Sequence, residues 1–97
     1  MKEFGFEWDD AKADANLRKH GVSFLEVMTV FDEAPAPLGD VLHSIAEDRF
    51  IIVGVSERNR LLTVVFTYRD EETIRIISAR RSNRREQQFY EQETRIH

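Results

Sequence analysis

At 97 residues, with 41% apolar and 33% charged side chains, the chain has material for one hydrophobic core, too little for two domains of ordinary size, and none of the aromatic poverty of disordered segments. No apolar run approaches the roughly 20 residues that span a bilayer, and Met1-Lys2-Glu3-Phe4 lacks the apolar stretch of a secretory signal, so a cytoplasmic protein without membrane contact is expected. The absence of Cys excludes disulfides and thiolate chemistry, His20, His43 and His97 lack a metal-ligand spacing so that no cofactor is expected, and a net charge of −4 argues at first against nucleic acid.

Phe4 to Trp8 reads as a short first strand. Asp9-Asp10 supplies an N-cap and an acidic first turn for a helix from about Ala11 to His20; Lys19 and His20 stand where the dipole favours cations, and Gly21 where a left-handed residue closes the helix. Ser23 opens a second helix. Ser23-x-x-Glu26 has the form of a capping box, Val22 and Val27 that of a hydrophobic staple, and Phe24, Val27, Met28 and Phe31 fall on one apolar face. Pro35 and Pro37 end it, because neither has an amide proton and each disfavours helix in the residue before it.

Leu38 to His43 is read as an edge strand, and Arg49 to Ser56, Leu61 to Arg69 and Thr73 to Arg80, rich in Ile, Val, Phe and Thr, as three further strands. The connections 57–60 and 70–72 are short enough for hairpins, which predicts an antiparallel sheet. A last helix begins near Asn83, with Glu86 as cap partner, and carries Phe89 and Tyr90. The expected class is α+β: one domain over 1–97, a small antiparallel sheet packed against helices.

The net charge hides an asymmetry. Residues 1 to 57 hold five Lys or Arg against twelve Asp or Glu, whereas 58 to 85 hold eight Arg and no Lys against three acids. The planar fork of Arg grips phosphate oxygens in pairs, so this block restores nucleic acid as a partner. With Asp70, Glu71 and Glu72 as a three-residue loop, Arg69 faces Thr73 and Thr67 faces Arg75. Leu62, Val64, Phe66, Tyr68, Ile74, Ile76 and Ser78 then share a buried face, while Thr63, Thr67, Arg69, Arg75 and Arg81 share an open one with Val65 and Ile77. Arg80 falls on the buried-face parity at the strand end.

Phe6-Glu7-Trp8-Asp9, Lys12, Asn16, Lys19-His20-Gly21-Val22-Ser23-Phe24, Val30-Phe31, Glu47-Asp48-Arg49, Gly54-x-Ser56, the run Ile74 to Arg81, Arg85-Glu86 and Tyr90, in this order and spacing, resemble the BrnT family of toxins over nearly the whole chain. The pattern departs at Arg58-Asn59-Arg60, where similar sequences often have a glycine-bearing turn. The resemblance implies a RelE-like fold and a ribonuclease toxin that cuts RNA and inhibits translation. It also implies a cognate BrnA-like antitoxin, with promoter DNA bound only through that antitoxin.

Metal-free RNA cleavage uses the neighbouring 2′-hydroxyl as nucleophile, so the protein must supply a base, an acid for the leaving oxygen and positive charge for the transition state. Arg80, Arg75 and Arg69 are the expected catalytic cations, with His20 or Glu47 as base; Arg81, Lys19, Arg49 and Arg60 are expected to contact RNA. Imidazole ordinarily titrates near 6.5 and a helix end leaves it accessible, although His20 also reads as a dipole-stabilising terminal residue. An ion pair with Arg49 accounts for Glu47 equally well, and solvation accounts for Lys19. Tyr68 and Tyr90 are potential base-stacking residues, with core packing the better account of Tyr68. The self-repelling arginine block leads us to expect acidic antitoxin side chains over that face or the last helix. Two readings without chemistry stand beside this one: an arginine-rich module that docks an acidic protein, and a regulator that binds nucleic acid and leaves it intact.

Overall fold

The computed structural model describes residues 5–33, 43–46 and 49–95, with side chains described over 5–32 and 49–92. Phe4, Pro35, Pro37, Glu47 and residues 38–42 of the expected edge strand lie outside these ranges. Chain order is β1 (Gly5–Glu7), α1 (Asp10–His20), α2 (Phe24–Glu33), β2 (His43–Ala46), β3 (Arg49–Val55), β4 (Leu61–Asp70), β5 (Thr73–Arg81) and α3 (Arg84–Arg95). Among the described residues no helix is long and apolar enough to cross a membrane.

The helix ends form as their sequences dictate. Asp9 accepts from the Lys12 amide at 3.0 Å, and Gly21, at φ 69°, returns its N–H to the Leu17 carbonyl. At α2 only half of the expected capping box exists. The Glu26 amide donates to Ser23 Oγ at 3.1 Å, but the Glu26 carboxylate turns inward to the Arg60 guanidinium, a charged bidentate partner that outcompetes a neutral backbone N–H. The box at α3 is complete: the Glu86 amide donates to Asn83 Oδ1 at 2.9 Å and the Asn83 amide to Glu86 Oε1 at 2.8 Å.

The five strands lie in the order β1-β5-β4-β3-β2. The pairs from β2 to β5 are antiparallel as expected, but β1 joins β5 in parallel, through Gly5↔Thr73, Phe6↔Ile74 and Glu7↔Arg75, so the sheet is mixed. The long excursion from β1 to β5 through two helices permits a parallel pairing that no hairpin imposes. The described edge strand is His43–Ala46, later in the chain than the Leu38–His43 expectation.

Register in the last hairpin differs from the three-residue loop in two places. Asp70 pairs with Thr73, leaving Glu71-Glu72 at the tip and Arg69 as an extra residue, and a second irregularity between Val65↔Ser78 and Phe66↔Ile76 leaves Ile77 unpaired. Thr67↔Arg75 is as expected. The break at Ile77 inverts parity beyond it, so Ala79 joins Val64 on the core face in place of Ser78 and Arg80 joins Thr63 on the other face, while Arg81, expected on the open face, takes the parity of Leu62 at the exposed strand end.

The core lies between that first face and the two leading helices. Val22, Phe24, Val27 and Val30 meet Ile52, Leu62, Val64, Phe66, Ile74, Ile76 and Ala79, all buried, with each large side chain contributing about 1.5–3 kcal/mol. Phe6, Phe31, Phe66, Phe50 and Tyr68 form a chain of ring contacts with centroids 5.1–5.8 Å apart, which accounts for Tyr68 as a packing residue. Gly54 lets α2 approach β3, since a Cβ there would stand 2.7 Å from Val30 Cγ1. On the opposite face α3 packs against β3, and Val53, Thr63 and Ser82 are buried.

Candidate active site

The expected site arginines divide between the two ends of β5. Arg75 and Arg80 are five residues apart, about 16 Å along a strand at about 3.3 Å per residue, and each guanidinium is held by a different carboxylate, Glu7 for Arg75 and Glu86 for Arg80. At the hairpin end, the parallel register sets Glu7 beside Arg75. Glu7 Oε2 accepts from Arg75 Nη1 at 2.7 Å and from Arg69 Nη1 at 2.9 Å, so the two arginines do share the open face, joined by one carboxylate. The Arg75 hydrogen bond foremost, helped by the Arg69 charge, holds the Glu7 carboxyl below the ordinary range. Arg49 begins β3, is exposed, and has the parity of the open face.

At the other end the parity inversion presents Arg80 on the face covered in part by α3. Its guanidinium meets Glu86 in a two-pronged pair, Nη1 to Oε1 at 2.8 Å and Nη2 to Oε2 at 2.7 Å. Glu86 Oε1 also accepts from Thr63 Oγ1 at 2.9 Å and from the Asn83 amide at 2.8 Å, and Thr63 Oγ1 lies 2.8 Å from Ser82 Oγ. With the Arg80 bond as the largest cause, the Glu86 carboxyl is pulled down to about 2, so it is an anion at any working pH and too weak a base to take a proton from a hydroxyl.

Asn16 brings α1 to this end. Its side-chain amide replaces a strand partner on the outer edge of β5, accepting from the Ala79 amide at 3.1 Å and donating to the Ala79 carbonyl at 2.9 Å and the Val22 carbonyl at 3.0 Å. His20 lies one turn further along the same helix face, next to the closing residue Gly21. It is half-buried, and Lys19 beside it is exposed. Glu47 lies outside the described residues. Among the described residues, no three His, Asp or Glu side chains gather as a metal would require.

Arg60 points elsewhere. Its side chain is 18% exposed and that of Glu26 3%. Arg60 Nε donates to Glu26 Oε2 at 2.9 Å, and Nη2 reaches Glu26 Oε1 and, at 3.1 Å, the Gly21 carbonyl. Ser56 Oγ donates to the same carboxylate at 2.6 Å, and Arg58 Nη1 stands 3.9 Å away. The hydrogen bond from Arg60 chiefly, then that of Ser56, lowers the Glu26 pKa. Where the sequence departs from a glycine-bearing turn, Asn59 adopts φ 59° and donates to the Ser56 carbonyl at 2.8 Å, so the turn still has its left-handed residue.

Sequence reasoning overlooked the counter-charges. Glu7, Glu26 and Glu86 engage five of the eight arginines of the basic block. Arg81, Arg84 and Arg85 have no ion pair among the described residues. The available signal was that Glu26 and Glu86 each occupy a cap position, which places a carboxylate at a helix start without saying which cation reaches it.

A family model described as the ribonuclease toxin BrnT of type II toxin–antitoxin systems matches residues 8–86. The 1.1 Å crystal structure of the Brucella abortus ribonuclease toxin BrnT is similar at a TM-score of 0.61 and 21% identity, covering 87% of this chain and 100% of that one, a likeness of fold. No curated protein sequence matches this chain.

Proposed function

The chain belongs to the BrnT family of ribonuclease toxins of type II toxin–antitoxin systems, and from that premise we propose that it is a metal-independent endoribonuclease whose transition state is stabilised by Arg80. The observation that carries the reading is the disposition of that guanidinium. Its side chain is 44% exposed, and Glu86 occupies only its terminal edge. The Nε–H and one Nη2 proton, which form a second fork, have no acceptor among the described residues. That fork suits a phosphoryl oxygen pair.

In the proposed reaction a base removes the proton of the 2′-hydroxyl, the O2′–P bond forms, the P–O5′ bond breaks, and the departing O5′ takes a proton from solvent water. The products are a 2′,3′-cyclic phosphate and a 5′-hydroxyl. Negative charge grows on the non-bridging oxygens, where Arg80 acts. His20, on α1 one turn beyond the Asn16 that bonds Ala79 of β5, is the base we favour, with Glu47 as the other candidate. Arg81 and Lys19 would contact the backbone near the scissile bond, and Arg69, Arg75 and Arg49 the flanking phosphates. Arg60 we assign to the fold.

In the cell the reaction would stop translation in the cytoplasm. A BrnA-like antitoxin would occlude the face and carry the pair to promoter DNA. Incubating the purified protein with RNA and with DNA in EDTA, with and without the antitoxin, tests this. RNA alone should be cut, and only without antitoxin. A requirement for magnesium, equal cutting of DNA, or binding with steep salt dependence and no cleavage would each reject the reading.

A further inference from the structure

Glu86 is not needed by the reaction as drawn, yet more of the local structure converges on it than on any other side chain of the site. Oε1 takes Thr63 Oγ1, Arg80 Nη1 and the Asn83 amide, and Oε2 takes Arg80 Nη2. A capping carboxylate would be satisfied by the Asn83 amide alone. Thr63 is buried and itself tied to Ser82, which accepts from Gln87 Nε2 through its carbonyl at 3.1 Å, so the carboxylate is fixed from the sheet, from the β5–α3 connection and from the helix. A long cation on an exposed strand end otherwise samples many rotamers.

Resting on the reading of Arg80 as the cation of an RNA-cleaving site, we propose that Glu86 is its positioning residue: anchored by Thr63 and Asn83, it grips the terminal edge of the guanidinium and so aims the Nε–Nη2 edge at the phosphate. Two effects oppose one another here. The negative charge of Glu86 offsets part of the field of Arg80 at the phosphate, while its two hydrogen bonds remove the rotational freedom that substrate binding must otherwise quench. Arg80 is half-exposed, so solvent screens the first effect; the second, a geometric one, is not screened. Orientation therefore prevails, and removal of Glu86 slows the chemical step.

The test is single-turnover cleavage of RNA at saturating protein, together with KM and the thermal midpoint, for Arg80→Ala, Glu86→Ala, Glu86→Gln and the double variant Arg80→Ala/Glu86→Ala. Glu86→Ala should slow the chemical step about tenfold with little change in KM. Added to Arg80→Ala it should slow it no further, although its effect on the thermal midpoint persists. Glu86→Gln keeps the size of the cap residue and so covers the case in which the alanine variant does not fold; it too should be slow, because an amide N–H then confronts the Nη2 donor. Folded Glu86 variants that cleave at or above the wild-type rate, while Arg80→Ala is slow, overturn the positioning role and leave the reaction as drawn. An equal slowing by Glu86→Ala with and without Arg80 also overturns it, since the carboxylate would then act through something else. Arg80→Ala with wild-type cleavage removes the reading on which the proposal stands.

Discussion

Replacing Arg60 by alanine separates a structural arginine from a substrate-binding one, because its guanidinium serves a carboxylate with a side chain only 3% exposed. The change deletes the Nε and Nη2 bonds to Glu26 and the bond to the Gly21 carbonyl, leaving Glu26 with the Ser56 hydroxyl. Breaking one side of a buried pair costs about 3–5 kcal/mol. Arg58, 3.9 Å from Glu26 Oε1 and 66% exposed, is free to swing in, so we take the lower end, about 3 kcal/mol. For a domain of this size that lowers the thermal midpoint by about 15 °C. Below both midpoints, RNA cleavage should match wild type. Glu26→Leu combined with Arg60→Met should recover most of the lost stability, since neither charge is then left unpaired. A midpoint within about 3 °C of wild type, together with a tenfold loss of RNA affinity, would return Arg60 to the RNA contacts expected from sequence and refute the structural assignment.

Arg80→Ala should slow cleavage at saturating RNA by at least about tenfold, roughly 1.4 kcal/mol, with the midpoint within a few degrees, whereas Arg75→Ala and Arg69→Ala should raise KM and spare the saturated rate; equal rate losses at all three would mean that the two ends of β5 act on one phosphate after all. Glu7, Glu26, Asp70 and Glu86 all have folded pKa values below their unfolded ones, so the stability they contribute is present above about pH 4.5 and is lost as pH falls toward about 2, where Glu86 itself protonates; a thermal midpoint that stays flat between pH 6 and about 2.5 contradicts this. Gly54→Ala should cost about 1–3 kcal/mol by pressing on Val30 Cγ1, and Val30→Ala in the same chain should relieve it; additive losses in a melting experiment would place the strain elsewhere.

Helix starts were legible because caps are local chemistry: Asp9, Ser23 and Asn83 each bond the amide three residues on. The three long strands were legible for the same reason, since β-branched runs between turn residues leave few alternatives. What the sequence concealed was set by contacts distant in the chain. The parallel seat of β1 on β5 depends on where two helices return the chain, and it is this seat that gives Glu7 to Arg75. The irregularity at Ile77 has no sequence signal that we can identify, yet it moves Arg80 to the face of Thr63 and α3. The capping-box pattern occurs twice and means different things: Glu86 closes its box and takes Arg80, while Glu26 forsakes its box for Arg60. Local spacing fixes where such a carboxylate starts from, and the nearest guanidinium decides where it ends.

The same pairing redirects the electrostatic expectation. A block of eight arginines suggested a face that repels itself until an acidic antitoxin arrives, but three glutamates of the chain already answer five of them. The arginines of that block without an ion pair among the described residues are Arg81 at the end of β5 and Arg84 and Arg85 in the first turn of α3, where the helix dipole disfavours positive charge. Helix stability does not explain arginines there, whereas binding of an external polyanion would. Both are exposed, so Arg84→Gln with Arg85→Gln should leave the fold intact. If each meets one phosphate of single-stranded RNA, the slope of log affinity against log salt should fall by about 1.4 in the double variant, at about 0.7 per phosphate. The single-turnover rate at saturating RNA should stay within about twofold, because the proposed reaction gives neither side chain a part at the scissile bond. Arg58→Gln, already beside Glu26, is the control and should leave the slope where it was. An unchanged slope in the double variant, or an equal fall in the control, would show that the RNA does not follow the line from β5 into α3, and the substrate path would then have to run over Arg69, Arg75 and Arg49 instead.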